Sequence, residues 1–543
     1  MDDDASARRD AGGYLVEEVA PAERALLARH VTDVEGPVFA LRDLPQVTCA
    51  ALFARYSRSP KSLRRLLIDE FAGSLDESGA GSTLGVERAS DLFGRVLAEY
   101  GDDSVAQLAG VHIACEQVSQ PLAKLIEWGR LASYLEQSTR YIAYTDRRAG
   151  RYRYHVDPDV DRSELGDRYR STMDVLFETY AATIDPVRAH LDSTLPREDD
   201  ARARARAIRA LALDICRALL PAATESNVGV FGSPQALEGL VMRLRADSLP
   251  EANAYAERIA AELRKVIPDF LARLDRPDRG GTWVDYLRDT AAALRAEAAE
   301  IAARGPADAT EAVTFPGGES VALIRFDADA EDRILAAALF PHSNAPEPAL
   351  LAAVRALSQE SRARLSGAAI GVRGNRRHKP GRGFEHAAYT FEILSDYGAF
   401  RDLQRHRMLT AQWQRLTTAL GAHVPEEVEA SGCGPAWRGA VERSEELHAL
   451  LSERFAEQAQ YAVTLGHRLR YQLRLNAREL MHLVELRSSP QGHPSYRRIA
   501  IEMHRQVRDI AGHHLVADAI RFVGSDDVHL PRYAAEAREA ASR

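Results

Sequence analysis

The chain has 543 residues, 45% of them hydrophobic and 27% charged, with a formal net charge of -9. That length is ample for two or more domains with large cores, and the composition excludes a wholly disordered chain. The negative charge argues against a protein that coats nucleic acid but leaves room for a local basic pocket holding a small anion.

Cys49, Cys115, Cys216 and Cys433 are scattered, without the close pairing that a metal or redox site needs, and imply a reducing, cytoplasmic setting. The N-terminal MDDDASARRDAGG is acidic and polar with no apolar run behind it. Residues 1–13 are therefore expected to be a disordered tail rather than a signal peptide. No stretch approaches the roughly 18 apolar residues of a membrane span.

From Glu17 to Phe71, apolar residues recur at spacings of three and four, which predicts helices. GAGSTLG at Gly79–Gly85 superficially resembles a dinucleotide fingerprint, but no strand pattern precedes it and its glycine spacing is wrong. Ser104–Val118 reads as a buried helix or strand, with His112 as a core histidine rather than a ligand. Asp146–His155 reads as a charged loop, followed by long helices over Asp161–Leu191 and Arg202–Leu220. The Arg-Ala run at Arg202–Arg206 is expected on a solvated face.

Gly305–Ser320 has the composition of a linker or exposed hairpin, and VALIRF from Val321 predicts a strand. The basic loop Gly371–Gly383, with Arg373, Arg376, Arg377, His378, Lys379 and Arg382, is expected to be solvated, or to guide an anionic substrate. His482 and Glu485 share a helical face, but a single pair is weak evidence for a metal and none is expected.

Two stretches bear the chemistry. In Glu127–Tyr144, Arg130 is followed three residues later by Ser133; in Asp402–Leu416, Arg407 is followed three residues later by Thr410. Arg405, His406 and Arg407 set two permanent cations beside a titratable ring, a combination suited to phosphate or a flavin's carbonyl edge. Glu136, Gln137, Ser138 and Arg140 offer a carboxylate, an amide, a hydroxyl and a guanidinium to a phosphorylated small molecule. WGR at Trp128 and RHR at Arg405 are 405 − 128 = 277 positions apart, which marks the stretches as diverged copies in a tandem repeat.

These residues resemble the flavin-dependent thymidylate synthases, the thymidylate synthase complementing protein family. The family signature is RHR, seven residues, then Ser, x, Arg, Tyr; the first copy keeps Ser138, Arg140 and Tyr141, while the second keeps RHR but has Arg415 and Thr417 in place of Ser and Arg. A later family block, an Arg before Leu-Pro and then Asn-x-Arg and a final Arg, is similar to Arg217 in the first copy and to Asn476, Arg478 and Arg487 in the second. Gln460 replaces the second copy's early Arg, and Ser233, Gln235 and Leu244 stand at the first copy's late positions.

The resemblance implies an α+β, helix-rich fold of two modules, 14–304 and 321–543, joined by the linker 305–320, each a small sheet flanked by long helices. It implies reductive methylation of deoxyuridine monophosphate (dUMP) to thymidylate, with FAD as cofactor and methylenetetrahydrofolate and NADPH as co-substrates. In the family the site lies where subunits of a homotetramer meet, so a homodimer of this tandem chain is expected, with no nucleic acid or membrane partner. Carried over position by position, the cofactor end would be Arg405, His406, Arg407 and Asn476. The substrate end would be Glu136, Ser138, Arg140, Arg217 and Arg487. Arg487 and Ser138 stand as candidate catalytic residues, an arginine to stabilise enolate charge and a hydroxyl that binds rather than attacks. Two departures, Asp402 at the family's phosphate-binding Gln and Leu135 at its Asn, point to the alternative of a non-catalytic or repurposed nucleotide- or flavin-binding relative. An ionised Asp402 would repel a phosphate.

Overall fold

The structure, a computed structural model, describes residues 8–9, 15–16, 18–56, 59–71, 107–197, 200–302, 312–315 and 318–524. Gly79–Gly85, residues 104–106, most of Gly305–Ser320 and most of the N-terminal tail lie outside the described residues. Of residues 1–13, expected to be disordered, Arg8–Arg9 instead forms a strand, β1, that pairs with β2 (Leu15–Val16) just beyond.

Contacts divide the chain into two compact units that cut across the two sequence modules. The first comprises the described residues of Met1–Cys115, Leu131–Leu135 and Val228–Ala303; the second comprises those of Glu116–Arg130, Glu136–Asn227 and Arg304–Arg543.

The first unit is mainly helical: helices Pro21–His30 and Gln46–Tyr56 lie where the apolar spacing of Glu17–Phe71 predicts them, and Pro234–Ala246, Pro250–Arg264 and Thr282–Ala302 join them. Leu27, Leu52, Leu237, Val241, Ala256 and Leu263 are buried in it. β3 (Val111–Val118) is a strand of alternating exposure, which corrects the reading of His112. Val111 and Cys115 face inward, so the period of two turns His112 out to solvent, where its ring lies 4.4 Å from that of Phe231.

Strand order repeats between the two copies. β3, β4 (Ala132–Glu136) and β5 (Ser226–Gly232) form a sheet of order β3-β5-β4. Its counterpart contains β6 (Val313–Thr314), β7 (Ser320–Phe326), β8 (Ala388–Asp396), β9 (Thr410–Trp413) and β10 (Arg468–Asn476) in the order β6-β7-β8-β10-β9, antiparallel throughout. Thus β3-β5-β4 and β8-β10-β9 share one connectivity, and β3 and β8 begin 388 − 111 = 277 residues apart. The caps repeat too. Ser119 caps helix Gln120–Ile126 and Asp396 caps helix Tyr397–Gln404; Ser233 caps Pro234–Ala246 and Asn476 caps Ala477–Arg487. The fold is α+β and helix-rich, with small sheets.

In the second unit, first-copy segments pack directly on the second copy. Ala222 N donates to Val463 O at 2.7 Å and Leu465 N donates to Leu220 O at 2.8 Å, a reciprocal pair like an isologous contact. Arg401 Nη1 donates to both oxygens of Gln120 at 2.9 Å, and Gln404 Nε2 donates to Lys124 O at 2.8 Å. Helix Pro494–Asp509 backs the five-stranded sheet, burying Tyr496, Ile499, Ala500, Met503 and Val507. Its Gln506 amide bonds the backbone of Val321 and Leu323 beside the β7 bulge.

The loop Gly371–Gly383 departs from expectation at Arg373, whose buried guanidinium meets Glu485 with bonds of 2.6 and 2.7 Å. Glu485 is thereby committed to an ion pair and is not a free partner for His482.

Candidate functional site

The site is built on three helix ends. Asp396 Oδ1 accepts from Ala399 N at 2.7 Å and starts helix Tyr397–Gln404, which carries Arg401 and Asp402 and ends beside Arg405. Asn476 Oδ1 accepts from Glu479 N at 2.8 Å and starts helix Ala477–Arg487, whose last residue is Arg487. Helix Ala201–Cys216 delivers Asp214 in its last turn and Arg217 just beyond it.

These elements bring arginines of both copies around one carboxylate. Asp402 is buried, with Arg405 Nη1 at 3.4 Å, Arg217 Nη2 at 3.6 Å and Arg487 Nη1 at 3.7 Å. Burial alone would raise its pKa, but Arg405, Arg217, Arg140 and Arg487 outweigh burial and hold it well below the usual carboxylate range. Asp402 is therefore ionised.

Arg140 meets Asp214 as a fork, Nε to Oδ1 at 2.8 Å and Nη2 to Oδ2 at 3.0 Å, and donates to Tyr496 Oη at 2.9 Å. Arg140 and Arg487 stand 5.7 and 5.6 Å from the centroid of the Tyr496 ring. Arg217 Nε reaches Asp214 at 3.2 Å, and its buried Nη2 has no hydrogen-bond partner. Ser138 is half-buried, and its Oγ accepts from Arg140 N at 3.2 Å.

Glu136, read as a substrate ligand, is engaged within the protein by Arg401 at 2.7 Å and by Arg405. Burial opposes its ionisation, but the two arginines prevail and lower its pKa; nearby Glu127 is raised by burial and by the charge of Glu136. The RHR side chains diverge. Arg405 is 38% exposed and Arg407 is exposed, whereas His406 is buried. Arg487 Nε donates to His406 Nε2 at 3.0 Å; arginine has only donors, so the ring proton sits on Nδ1, 2.9 Å from Glu479 Oε1. Burial, then Arg487 and Lys379, push the His406 pKa well below 6.5, keeping the ring neutral.

Sequence reading missed Asp214, Arg401, Glu479 and Tyr496. One had a local signal: Asp214 precedes Arg217 by three positions, an opposite-charge pair within one helical turn, whereas the partners of Arg401 lie 401 − 136 = 265 to 401 − 120 = 281 positions away. Glu479 and Tyr496 acquire their partners only through long-range packing.

Arg407 is exposed, whereas the guanidinium of Arg405 is turned onto Glu127, Glu136 and Asp402; Trp128, next to Glu127 in sequence, is 48% exposed, with its ring 5.4 Å from that of Trp413. His406 and the Asn476 oxygen already serve internal bonds, the ring to Arg487 and Glu479 and the oxygen to the Glu479 backbone. A cavity of about 440 Å³ also opens at Gly381–Phe384 and His386, a segment tied to helix Ala477–Arg487 by Arg478 Nε, which donates to Pro380 O at 3.0 Å. Among the described residues, no helix is long and apolar enough to cross a membrane.

The sequence model of the family described as thymidylate synthase complementing protein matches residues 46–269 and 322–512. A UPF0159 protein of Chlamydia muridarum is 37% identical over 528 residues, covering 96% of this chain and 98% of that one. One of Chlamydia pneumoniae is 36% identical over 532 residues, with the same coverage of both chains. A UPF0159 protein of Thermoplasma acidophilum is 30% identical over 522 residues, covering 90% of this chain and 98% of that one. The matched segments fall one on each repeat, and together they support a thymidylate synthase-like role in general. By these matches, over two segments and nearly its full length, the chain belongs to the thymidylate synthase complementing protein family.

Proposed function

We propose that this chain is a flavin-dependent enzyme of the thymidylate synthase type, converting dUMP to dTMP with methylenetetrahydrofolate, FAD and NADPH in a reducing cytoplasm. Its site is composite, drawn from modules 14–304 and 321–543. One observation supports this reading above the others: Arg140 and Arg217 from the first copy and Arg405 and Arg487 from the second act on the same carboxylate, Asp402. Losses that break each signature separately thus leave one set of cations between them.

In this reading Arg140 and Arg217 hold the nucleotide phosphate, with Ser138 as a binding hydroxyl beside Arg140. Glu136 keeps Arg401 and Arg405 in place. Arg487, oriented by His406 and Tyr496, stabilises negative charge developing on the pyrimidine carbonyl. Arg405 and Arg407 hold the cofactor, while Asn476 and His406 serve internal bonds. Flavin held there and reduced by NADPH would supply the hydride that the pyrimidine receives, leaving the flavin oxidised. A homodimer of the tandem chain would correspond to the family's tetramer.

Flavin absorbance of the purified protein tests the reading. One flavin per chain is expected, falling sharply in Arg407→Ala and His406→Ala and persisting in Ser138→Ala; two per chain would exclude the composite site. A second reading, a non-catalytic nucleotide- or flavin-binding relative, is favoured by the protein carboxylates that already face Arg140, Arg217, Arg405 and Arg487. A protein that retains flavin or gives heat with dUMP but forms no dTMP when supplied with methylenetetrahydrofolate and NADPH would select it.

A further inference from the structure

We infer that Asp402 is the specificity-determining residue of the arginine cluster: its carboxylate is a resident anion with which an incoming phosphate competes. The inference rests on the nucleotide reading above and concerns the charge that the site accepts. Three distances carry it. Arg405, Arg217 and Arg487 lie 3.4, 3.6 and 3.7 Å from Asp402, longer than the 2.8 Å of Arg140 on Asp214. Charge-assisted bonds of this kind normally close to about 2.7–2.9 Å. Asp402 thus offsets part of the cluster's positive charge without saturating its donors, and Arg217 Nη2 keeps a buried N–H that nothing accepts.

Two opposite consequences follow from one carboxylate. In the ligand-free protein Asp402 offsets the mutual repulsion of the surrounding guanidiniums and keeps them assembled. Toward a phosphate dianion it adds a like charge in a site of low dielectric, where repulsion is strongest. The residue sits on helix Tyr397–Gln404, in the turn before Arg405, so backbone geometry prevents it from swinging far away.

The test is titration calorimetry of the full chain, wild type and Asp402→Asn, with dUMP and with inorganic phosphate at one ionic strength. Asn keeps the shape and removes the charge. Both ligands are expected to bind the variant at least about tenfold more tightly, about 1.4 kcal/mol. Unchanged or weaker binding of both by a folded variant overturns the inference. If wild type binds dUMP and the variant gains nothing, Asp402 has no such role while the nucleotide reading stands. If inorganic phosphate gains while dUMP binds neither protein, Asp402 keeps its role and the nucleotide reading falls. Should Asp402→Asn not fold, wild type decides. The monoanionic methyl ester of dUMP is then expected to bind at least as tightly as dUMP, and a several-fold preference for the dianion overturns the inference.

Discussion

Arg217 links two buried carboxylates of different origin, Asp214 three residues before it and Asp402 in the other copy. Removing it leaves both short of a counter-charge, and breaking a buried pair in this way costs about 3–5 kcal/mol. Arg217→Ala is therefore expected to melt well below wild type and to bind dUMP at least about tenfold more weakly, at about 1.4 kcal/mol per decade. Arg407 is exposed. Arg407→Ala is accordingly expected to melt closer to wild type than Arg217→Ala does. Thermal denaturation of both variants distinguishes the two environments; equal melting temperatures would contradict the geometry.

The helix Tyr397–Gln404 depends on a proton. Ser495 Oγ lies within hydrogen-bond reach of both Asp396 and Glu319, and a hydroxyl donates to one acceptor, so one carboxyl must donate in return. Arg498 Nη2, 2.9 Å from Glu319, keeps that group ionised. Burial and then the charge of Glu319 raise Asp396 from 3.8 to about 6. A raised carboxyl stabilises the fold most below its unfolded pKa and loses that contribution as pH rises through about 6. Asp396→Asn retains the cap and mimics the protonated form. Relative to wild type it should gain on the order of 1 kcal/mol between pH 5 and pH 7.5, since each pKa unit is worth about 1.4 kcal/mol. Denaturant melts at the two pH values check this, and a stability difference independent of pH would show that Asp396 does not titrate there.

Across the whole molecule, the second copy is built to receive the first. Arg401 is buried, and its carboxylate partners Glu127 and Glu136 both come from the first copy. The segment around Val463 likewise bonds to Leu220–Ala223. Residues 321–543 expressed alone would bury an uncompensated guanidinium and lose those bonds. That fragment is expected to show no cooperative thermal transition by circular dichroism, whereas the full chain shows one. A sharp melt of the isolated fragment would contradict this dependence.

Local signals sufficed for much of this protein. Apolar spacing marked the helices, VALIRF marked β7, and the 277-residue offset between WGR and RHR anticipated the recurrence of strand order and capping residues, because those features are encoded within short windows. The arginines Arg140, Arg217, Arg405 and Arg487 were also legible, since charge at a recognisable position needs no partner to be seen. What those cations face was not. Asp402 read as a departure that would repel phosphate, and only packing showed that it is buried and ionised among arginines from both copies. Arg373 read as part of a solvated loop until tertiary structure placed Glu485, 112 residues away, against it. His406 read as a ligand group, yet its two nitrogens are taken by Glu479 and Arg487, at separations of 73 and 81 residues. Burial and the choice of counter-ion arise from contacts distant along the chain, so spacing alone could reveal which groups are charged but not which charges remain available to a ligand.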